Sequence, residues 1–172
     1  MIHLFLGPMY AGKTSRLMSL YHKYGGIILD FSEKKCQEGH MMNHDKQSVP
    51  CILLPCLQHI HTAEVSIQRE FSNSPYIYIN EAQFFPDLLD FVKRWEEKDI
   101  YIFGLDGDFQ RNPMGQILQI IPLCDKVEKL SGLCSRCKSA SIFSKRITAD
   151  TQQIFLDETA YIPLCRNCYL YI

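Results

Sequence analysis

Gly7-Pro8-Met9-Tyr10-Ala11-Gly12-Lys13-Thr14 fits G-x-x-x-x-G-K-[ST], the pattern of a loop that cradles phosphate groups. The neighbours suit it. Ile2-His3-Leu4-Phe5-Leu6 is a short, mostly apolar run ending at a glycine and reads as a buried strand. From Lys13 to Tyr24 the apolar residues Leu17, Met18, Leu20 and Tyr21 recur at helical spacing with no proline, which predicts a helix. Strand, glycine loop and helix are what phosphate binding requires. The glycines let backbone N–H groups face an anion, and the helix aims its positive end at the same point. Lys13 adds a full charge, and the Thr14 hydroxyl is a ligand for Mg²⁺. A chance glycine turn before a helix is the competing reading. With a strand before the loop and a helix after it, a nucleoside triphosphate site is the better account.

The 172 residues suit one principal domain with a small appendage, and 47% apolar residues is a globular composition. With 18 basic and 19 acidic residues the formal net charge is −1, so there is no excess charge for sequence-independent nucleic-acid binding. No run of eighteen apolar residues offers a membrane span. With the phosphate loop starting at residue 7, no secretory leader is expected. The expectation is a cytoplasmic chain whose eight cysteines are reduced or metal-bound.

Further along, Gly25-Gly26 precedes a second buried strand, Ile27-Ile28-Leu29. Residues 32–48 are polar and aperiodic and read as a mobile flap over a ligand. Cys51–Leu54 predicts a third strand and Thr62–Phe71 a helix. Tyr76-Ile77-Tyr78-Ile79 is β-branched and aromatic and runs directly into Asn80-Glu81. Ligands of a doubly wound sheet sit beyond the carboxyl ends of its strands, so these polar residues should face the phosphates. This strand is expected beside the phosphate-loop strand. Pro86–Lys98 reads as a helix burying Leu88, Leu89, Phe91, Val92 and Trp95, followed by a strand over Ile100–Leu105 and a turn at Asp106-Gly107-Asp108. The fold class is therefore α/β, a parallel sheet flanked by helices.

From Leu123 the character changes. Cys134-Ser135-Arg136-Cys137 and Cys165-Arg166-Asn167-Cys168 are two C-x-x-C pairs. Two such knuckles complete a tetrahedral Zn²⁺ site, and four thiolates leave no open position, so the metal would be structural. A redox pair or four unrelated buried thiols are the alternatives. The segment between the knuckles exceeds the usual zinc-ribbon spacing, so a loop must bulge from it. The division is residues 1–130 for the α/β domain and 131–172 for the zinc domain. Cys36, Cys51, Cys56 and Cys124 read as reduced thiols. His40 and His44, four apart, lie in polar loop and make a weak metal candidate.

Five stretches, in this order, resemble the type II thymidine kinase family over nearly the whole chain. They are Gly7–Thr14, Glu81-Ala82-Gln83-Phe84-Phe85-Pro86, Gly104–Arg111, Ser144-Lys145-Arg146, and Tyr161 leading into Cys165, Cys168 and Tyr169. The resemblance implies a P-loop-type parallel sheet with a small zinc domain whose lasso-like loop covers the nucleoside. It implies transfer of the γ-phosphate of ATP, with Mg²⁺, to the 5′-hydroxyl of deoxythymidine. It also implies a homotetramer inhibited by dTTP. Glu81 matches the general base, and a carboxylate beside a weakly nucleophilic primary hydroxyl makes chemical sense. An ordinary capping carboxylate after a strand is the other reading.

Lys13 and Gly7–Thr14 match the phosphate site, joined by Glu33, Lys35, Asn80 and Gln83. Met9, Phe84, Leu105, Phe109, Ser144, Gln152, Gln153, Ile154, Phe155, Leu156 and Tyr161 match the nucleoside site, although Leu105, Phe84 and Tyr161 also suit core packing.

The chain departs from the family pattern at several positions. Asn80 stands where the family has an aspartate that holds hydrated magnesium, and it lacks the charge. Glu33-Lys34-Lys35 replaces an Asp-x-Arg, Arg16 replaces a glutamate, and Leu156-Asp157 replaces a glycine pair. A nucleotide-binding homologue with little turnover therefore stands as the second reading. A zinc-ribbon nucleic-acid module coupled to an ATPase is the third.

Overall fold

The computed structural model describes residues 1–31, 39–43 and 45–171. At its centre is a six-stranded, all-parallel sheet of order β5-β2-β6-β7-β1-β8. In chain order the strands are β1 (Ile2–Leu6), β2 (Ile27–Phe31), β3 (His40–Met42), β4 (Ser48–Pro50), β5 (Ile52–Leu54), β6 (Tyr76–Ile79), β7 (Asp99–Gly104) and β8 (Lys126–Lys129). Then come β9 (Gly132–Leu133), β10 (Ala140–Ser141), β11 (Phe143–Arg146) and β12 (Tyr161–Leu164). The helices are α1 (Lys13–Tyr24), α2 (Val65–Asn73), α3 (Leu88–Arg94) and α4 (Arg166–Leu170).

Strand alternation sorts the core into two layers, because successive side chains point to opposite faces. Ile2, Leu4, Leu6, Ile27, Leu29, Ile77, Ile79, Ile100 and Ile102 pack with Phe71 of α2 and with Leu88, Phe91 and Val92 of α3. Phe5, Ile28, Tyr78, Tyr101 and Phe103 form the other face against Leu17 and Met18 of α1. Aromatic stacking reinforces that second layer, with Phe5 parallel to Phe103 at 4.5 Å and Tyr78 to Tyr101 at 5.3 Å. Near-continuous apolar strands are what a sheet covered on both faces demands.

Several elements differ from the sequence reading. β6 does not lie beside β1; β7 pairs with both and sits between them. The apolar run of β7 is buried throughout from Ile100 to Gly104, which suits an interior position better than an edge. The helix expected over Pro86–Lys98 holds helical form only from Leu88 to Arg94. Its last stretch turns back so that Lys98 N donates to Trp95 O. α2 is displaced two or three residues toward the C-terminus of its expected span. Part of the segment read as a flap is ordered: β3 and β4 form an antiparallel hairpin whose Met41 and Val49 are buried under the second core layer. β8, which the sequence reading does not identify, extends the sheet beyond β1 in parallel register.

Past β8 the chain forms two small antiparallel pairs, β9 with β10 and β11 with β12, and ends in α4. Between β11 and β12 residues 147–157 form a long, largely exposed loop, closed by a 3₁₀ turn at Glu158–Ala160 that the Asp157 side chain caps at Thr159 N.

Candidate active site at the phosphate loop

The carboxyl ends of β1, β2, β6 and β7 define one edge of the sheet, and the sequence-predicted polar residues emerge there. Residues 7–12 leave β1, turn, and deliver Lys13 as the first residue of α1. No side chain caps the helix start, so its first N–H groups are available to an anion. Lys13 is 9% exposed and its ammonium lies within the loop, donating to Gly7 O at 3.1 Å and Pro8 O at 2.7 Å. A flexible lysine held by two carbonyls can exchange them for a phosphate without crossing solvent. Thr14 is half-buried behind it.

Across β7, the chain leaving β6 makes a tight turn. Asn80 is buried; its main-chain N–H donates to Leu29 O and its amide to Asp30 Oδ1, each at 2.9 Å. Glu81 adopts a left-handed conformation (φ 51°, ψ 41°), unusual for a residue with a β-carbon and of the kind stored at functional sites. Gln83, 4% exposed, donates to Glu81 Oε2 at 2.7 Å while its own oxygen accepts from Leu105 N at 3.0 Å. Two glycines make room for it. A β-carbon on Gly104 would lie 2.5 Å from Gln83 Oε1, and one on Gly115 would lie 2.1 Å from Gln83 O. Gln83 is thus packed as a strut between β6 and β7. Two strand spacings separate the lines of β1 and β6, about 10 Å, so Glu81 and the phosphate loop leave the same edge of the sheet from strands on either side of β7.

Hydrogen bonds tie the small C-terminal module to this edge. Met9 N donates to Ser144 Oγ at 2.9 Å, and Tyr10 OH to Glu158 O at 2.9 Å. Gln153 Nε2 donates to Asp108 Oδ2 at 2.9 Å, and Tyr169 OH to Phe109 O at 2.6 Å. Burial opposes charge on Asp108, but hydrogen bonds from the Gln153 side chain and from the Asn112 and Gln110 main chain outweigh it. They hold its carboxyl below the usual aspartate range.

Arg146 organises the loop over residues 150–155, although the sequence reading names it only within Ser144-Lys145-Arg146. Its guanidinium donates to the carbonyls of Asp150, Gln152 and Gln153 and to Tyr161 OH, which in turn donates to Phe155 O at 3.1 Å. It lies 4.0 Å from the centre of the Phe109 ring, 5.0 Å from Tyr161 and 5.5 Å from Phe155. Of the residues expected around a nucleoside, Phe109, Gln152, Gln153, Phe155 and Tyr161 are therefore brought together by one side chain. Met9 and Ser144 meet at the phosphate loop. Phe84 packs against Phe31 at 5.3 Å, and Leu105 is fixed through its N–H to Gln83. Ile154 and Leu156 are exposed. Arg16 lies over the edge of Phe5, 5.8 Å from its ring centre. Glu33, Lys35, Cys36 and His44 lie outside the described residues.

At the far end of the module Cys134, Cys137, Cys165 and Cys168 bring their sulfurs within 4.8 Å of one another. A tetrahedron of thiolates around Zn²⁺, with Zn–S about 2.3 Å, has S···S separations of about 3.8 Å, and Cys137 Sγ and Cys165 Sγ are 3.5 Å apart. Four thiols at these separations form a closed tetrahedral donor set that fits zinc.

Fold and edge together define a nucleotide-binding α/β protein of the P-loop type, carrying a four-cysteine module. A family profile described as thymidine kinase matches residues 1–169. A thymidine kinase of Oryza sativa subsp. japonica is 36% identical over 98% of this chain, which spans 66% of that longer protein. The thymidine kinase of Yaba monkey tumor virus is 33% identical, with 99% of this chain and 95% of the relative covered. That of Vaccinia virus (strain Western Reserve) is 30% identical, with 98% and 96% covered. The chain belongs to the thymidine kinase family.

Proposed function

We propose that this chain transfers the γ-phosphate of ATP to the 5′-hydroxyl of deoxythymidine. The observation that carries the reading is the placement of Glu81, braced by Gln83, across the sheet edge from the phosphate loop, in a chain of this family. Glu81 accepts the proton of the 5′-hydroxyl as its oxygen forms a bond to the γ-phosphorus. The bond from that phosphorus to the β,γ-bridging oxygen breaks, and ADP leaves with the electron pair. Lys13 and the N–H groups of residues 7–14 hold the triphosphate and neutralise the charge that builds on it. Bound magnesium supplies further charge neutralisation. Thr14 and Asn80, both oxygen donors, are the residues of this edge that would hold it or its waters, and the family resemblance adds Glu33 and Lys35 to the residues that bind the triphosphate.

The nucleoside lies under the loop at Gln152–Leu156, which offers main-chain groups, with Met9, Phe84, Leu105, Phe109, Ser144 and Tyr161 around the base. Cys134, Cys137, Cys165 and Cys168 hold a structural zinc that fixes the stem of that loop. The functional division falls near residue 130, where β8 ends. Family membership further supports a cytoplasmic homotetramer restrained by dTTP.

The test is phosphoryl transfer from labelled ATP to thymidine, deoxyuridine, deoxycytidine, deoxyadenosine and deoxyguanosine, with Lys13→Ala as control. Thymidine monophosphate formed by the parent and lost in the control is the expected result. A product from another nucleoside alone overturns the specificity. Asn80 favours a second reading, nucleotide binding with little turnover; ATP binding with no product from any nucleoside would establish it.

A further inference from the structure

Asp30, the penultimate residue of β2, is 0% exposed, the most deeply buried acidic residue among the described residues. Burying a carboxylate is costly unless its surroundings hydrogen-bond to it. Phe31 N donates to Asp30 Oδ1 at 2.9 Å, and so does Asn80 Nδ2 at 2.9 Å. The contact with Asn80 follows from the sheet. β2 and β6 are parallel with Leu29 opposite Ile79, so the next residue on each strand, Asp30 and Asn80, reaches the ligand edge together. An ionised carboxylate only accepts, so Asn80 must turn its NH₂ to Asp30. That commits the amide: its oxygen is left as the acceptor on the other side, one residue before Glu81. A P-loop phosphate site calls for an acidic strand-end residue to help hold magnesium, and position 80 carries no charge.

We propose that Asp30 is the positioning residue that lets Asn80 serve the magnesium–nucleotide complex. It fixes the Asn80 amide with oxygen outward and supplies, one hydrogen bond behind, the negative charge that Asn80 lacks. The charge is thus carried on β2 and delivered through β6. This rests on reading the edge as a magnesium–nucleotide site, and the assay is chosen to be independent of turnover.

The test uses the full-length, zinc-loaded chain and measures equilibrium binding of a non-hydrolysable fluorescent ATP analogue as Mg²⁺ is titrated, with thermal melting in parallel. Asp30→Asn should raise the half-saturating Mg²⁺ concentration about tenfold or more, the usual effect of losing a partner behind a metal ligand. The exchange Asp30→Asn with Asn80→Asp, which returns the charge to β6, should bring it back toward the parent value. An Asp30→Asn protein with the parent's Mg²⁺ dependence and only a lowered melting temperature overturns the proposal. So does an exchange variant no better than Asp30→Asn. If Asp30→Asn does not fold, Asn80→Ala carries the test: it cuts the same connection and should show the same rise, and an unchanged Mg²⁺ dependence overturns the proposal. A parent that binds Mg²⁺ and nucleotide yet makes no thymidine monophosphate defeats the proposed reaction, while the effect of Asp30 remains readable from binding.

Discussion

The hydroxyl of Ser144 accepts a hydrogen bond from the main-chain N–H of Met9 at 2.9 Å, so the first strand of the lasso stem is bonded directly to the phosphate loop. Phosphate loop and C-terminal module therefore share a contact, and under the proposed function a change on one side should be felt on the other. Ser144→Ala strands the Met9 N–H in a partly buried place at a cost of about 1 kcal/mol. For a chain of this size that lowers the melting temperature by roughly 2–4 °C. The Michaelis constants for ATP and thymidine should rise together. A variant with both constants and its melting temperature unchanged would show that the two sites are not coupled here.

Gln83 bridges Glu81 Oε2 and Leu105 N, which separates what Glu81 does from what holds it. Glu81→Gln should reduce kcat by roughly 10²–10⁴ with little change in substrate binding. Gln83→Glu makes a sharper test. It places a second carboxylate against the first, and like charges at that distance raise the pKa of the pair. The acidic limb of the pH–kcat/KM profile should then move to higher pH. A profile that drops in height without moving would mean that Gln83 does not control the base.

The glycine loop and the cysteine pairs were legible because their chemistry needs particular residues at fixed spacing; the position of Glu81 at the sheet edge was legible because it closely follows an apolar strand, while its role as base rests on the family resemblance. The neighbours of each strand were not legible. Pairing in a parallel sheet is non-local, and nothing in Tyr76–Ile79 says that β7 will come between it and β1. β8 was missed because Lys126-Val127-Glu128-Lys129 is a charged edge strand, paired only with β1. The β3–β4 hairpin was missed because two strands of three residues carry too little periodicity. Asp30 falls just past the apolar run Ile27–Leu29 and carries no pattern of its own, and Arg146 enters the reading only as one residue of Ser144-Lys145-Arg146; the importance of each lies in contacts made across the fold.

Arg146 gathers three lasso carbonyls, the Tyr161 hydroxyl and the Phe109 ring. Arg146→Met keeps the length and apolar stem but removes every donor. The lasso should loosen, raising the Michaelis constant for thymidine by about tenfold or more, since each lost charged hydrogen bond is worth about 1.5–3 kcal/mol. The constant for ATP should move far less. Arg146→Lys should recover only part of the loss, because an ammonium cannot reproduce the planar fork. An equal rise for both substrates would argue for general destabilisation instead.

Asp108 anchors the lasso through Gln153 and is held below the ordinary carboxylate range. A carboxyl whose folded pKa is depressed contributes stability that is present above its unfolded value, about 3.9, and is lost as the pH falls through the folded one. The parent should therefore lose stability on acidification below the ordinary aspartate range. In Asp108→Asn that part of the pH dependence should be absent, with a lower melting temperature at neutral pH. Melting curves of both proteins from neutral to acid pH measure the difference; parallel curves would show that Asp108 does not set it.

Zinc should stabilise the lasso stem rather than the sheet. The cysteine cluster joins the turn before β10 to the start of α4, and the β11–β12 pair that carries the lasso is continuous with both. The central sheet has its own two core layers, and the cluster's cysteines belong to neither, so the sheet should persist without the metal. The protein should contain one zinc per chain by elemental analysis. Chelation, or Cys137→Ser, should lower thermal stability and abolish thymidine binding while ATP binding persists in part, because Gly7–Thr14 and α1 are built on the sheet. The link from Met9 to Ser144 sets how much nucleotide affinity is lost with it. Metal removal that spares thymidine binding would mean that the cysteines shape the module without zinc. Equal loss of both ligands would mean that the sheet itself relies on the cluster.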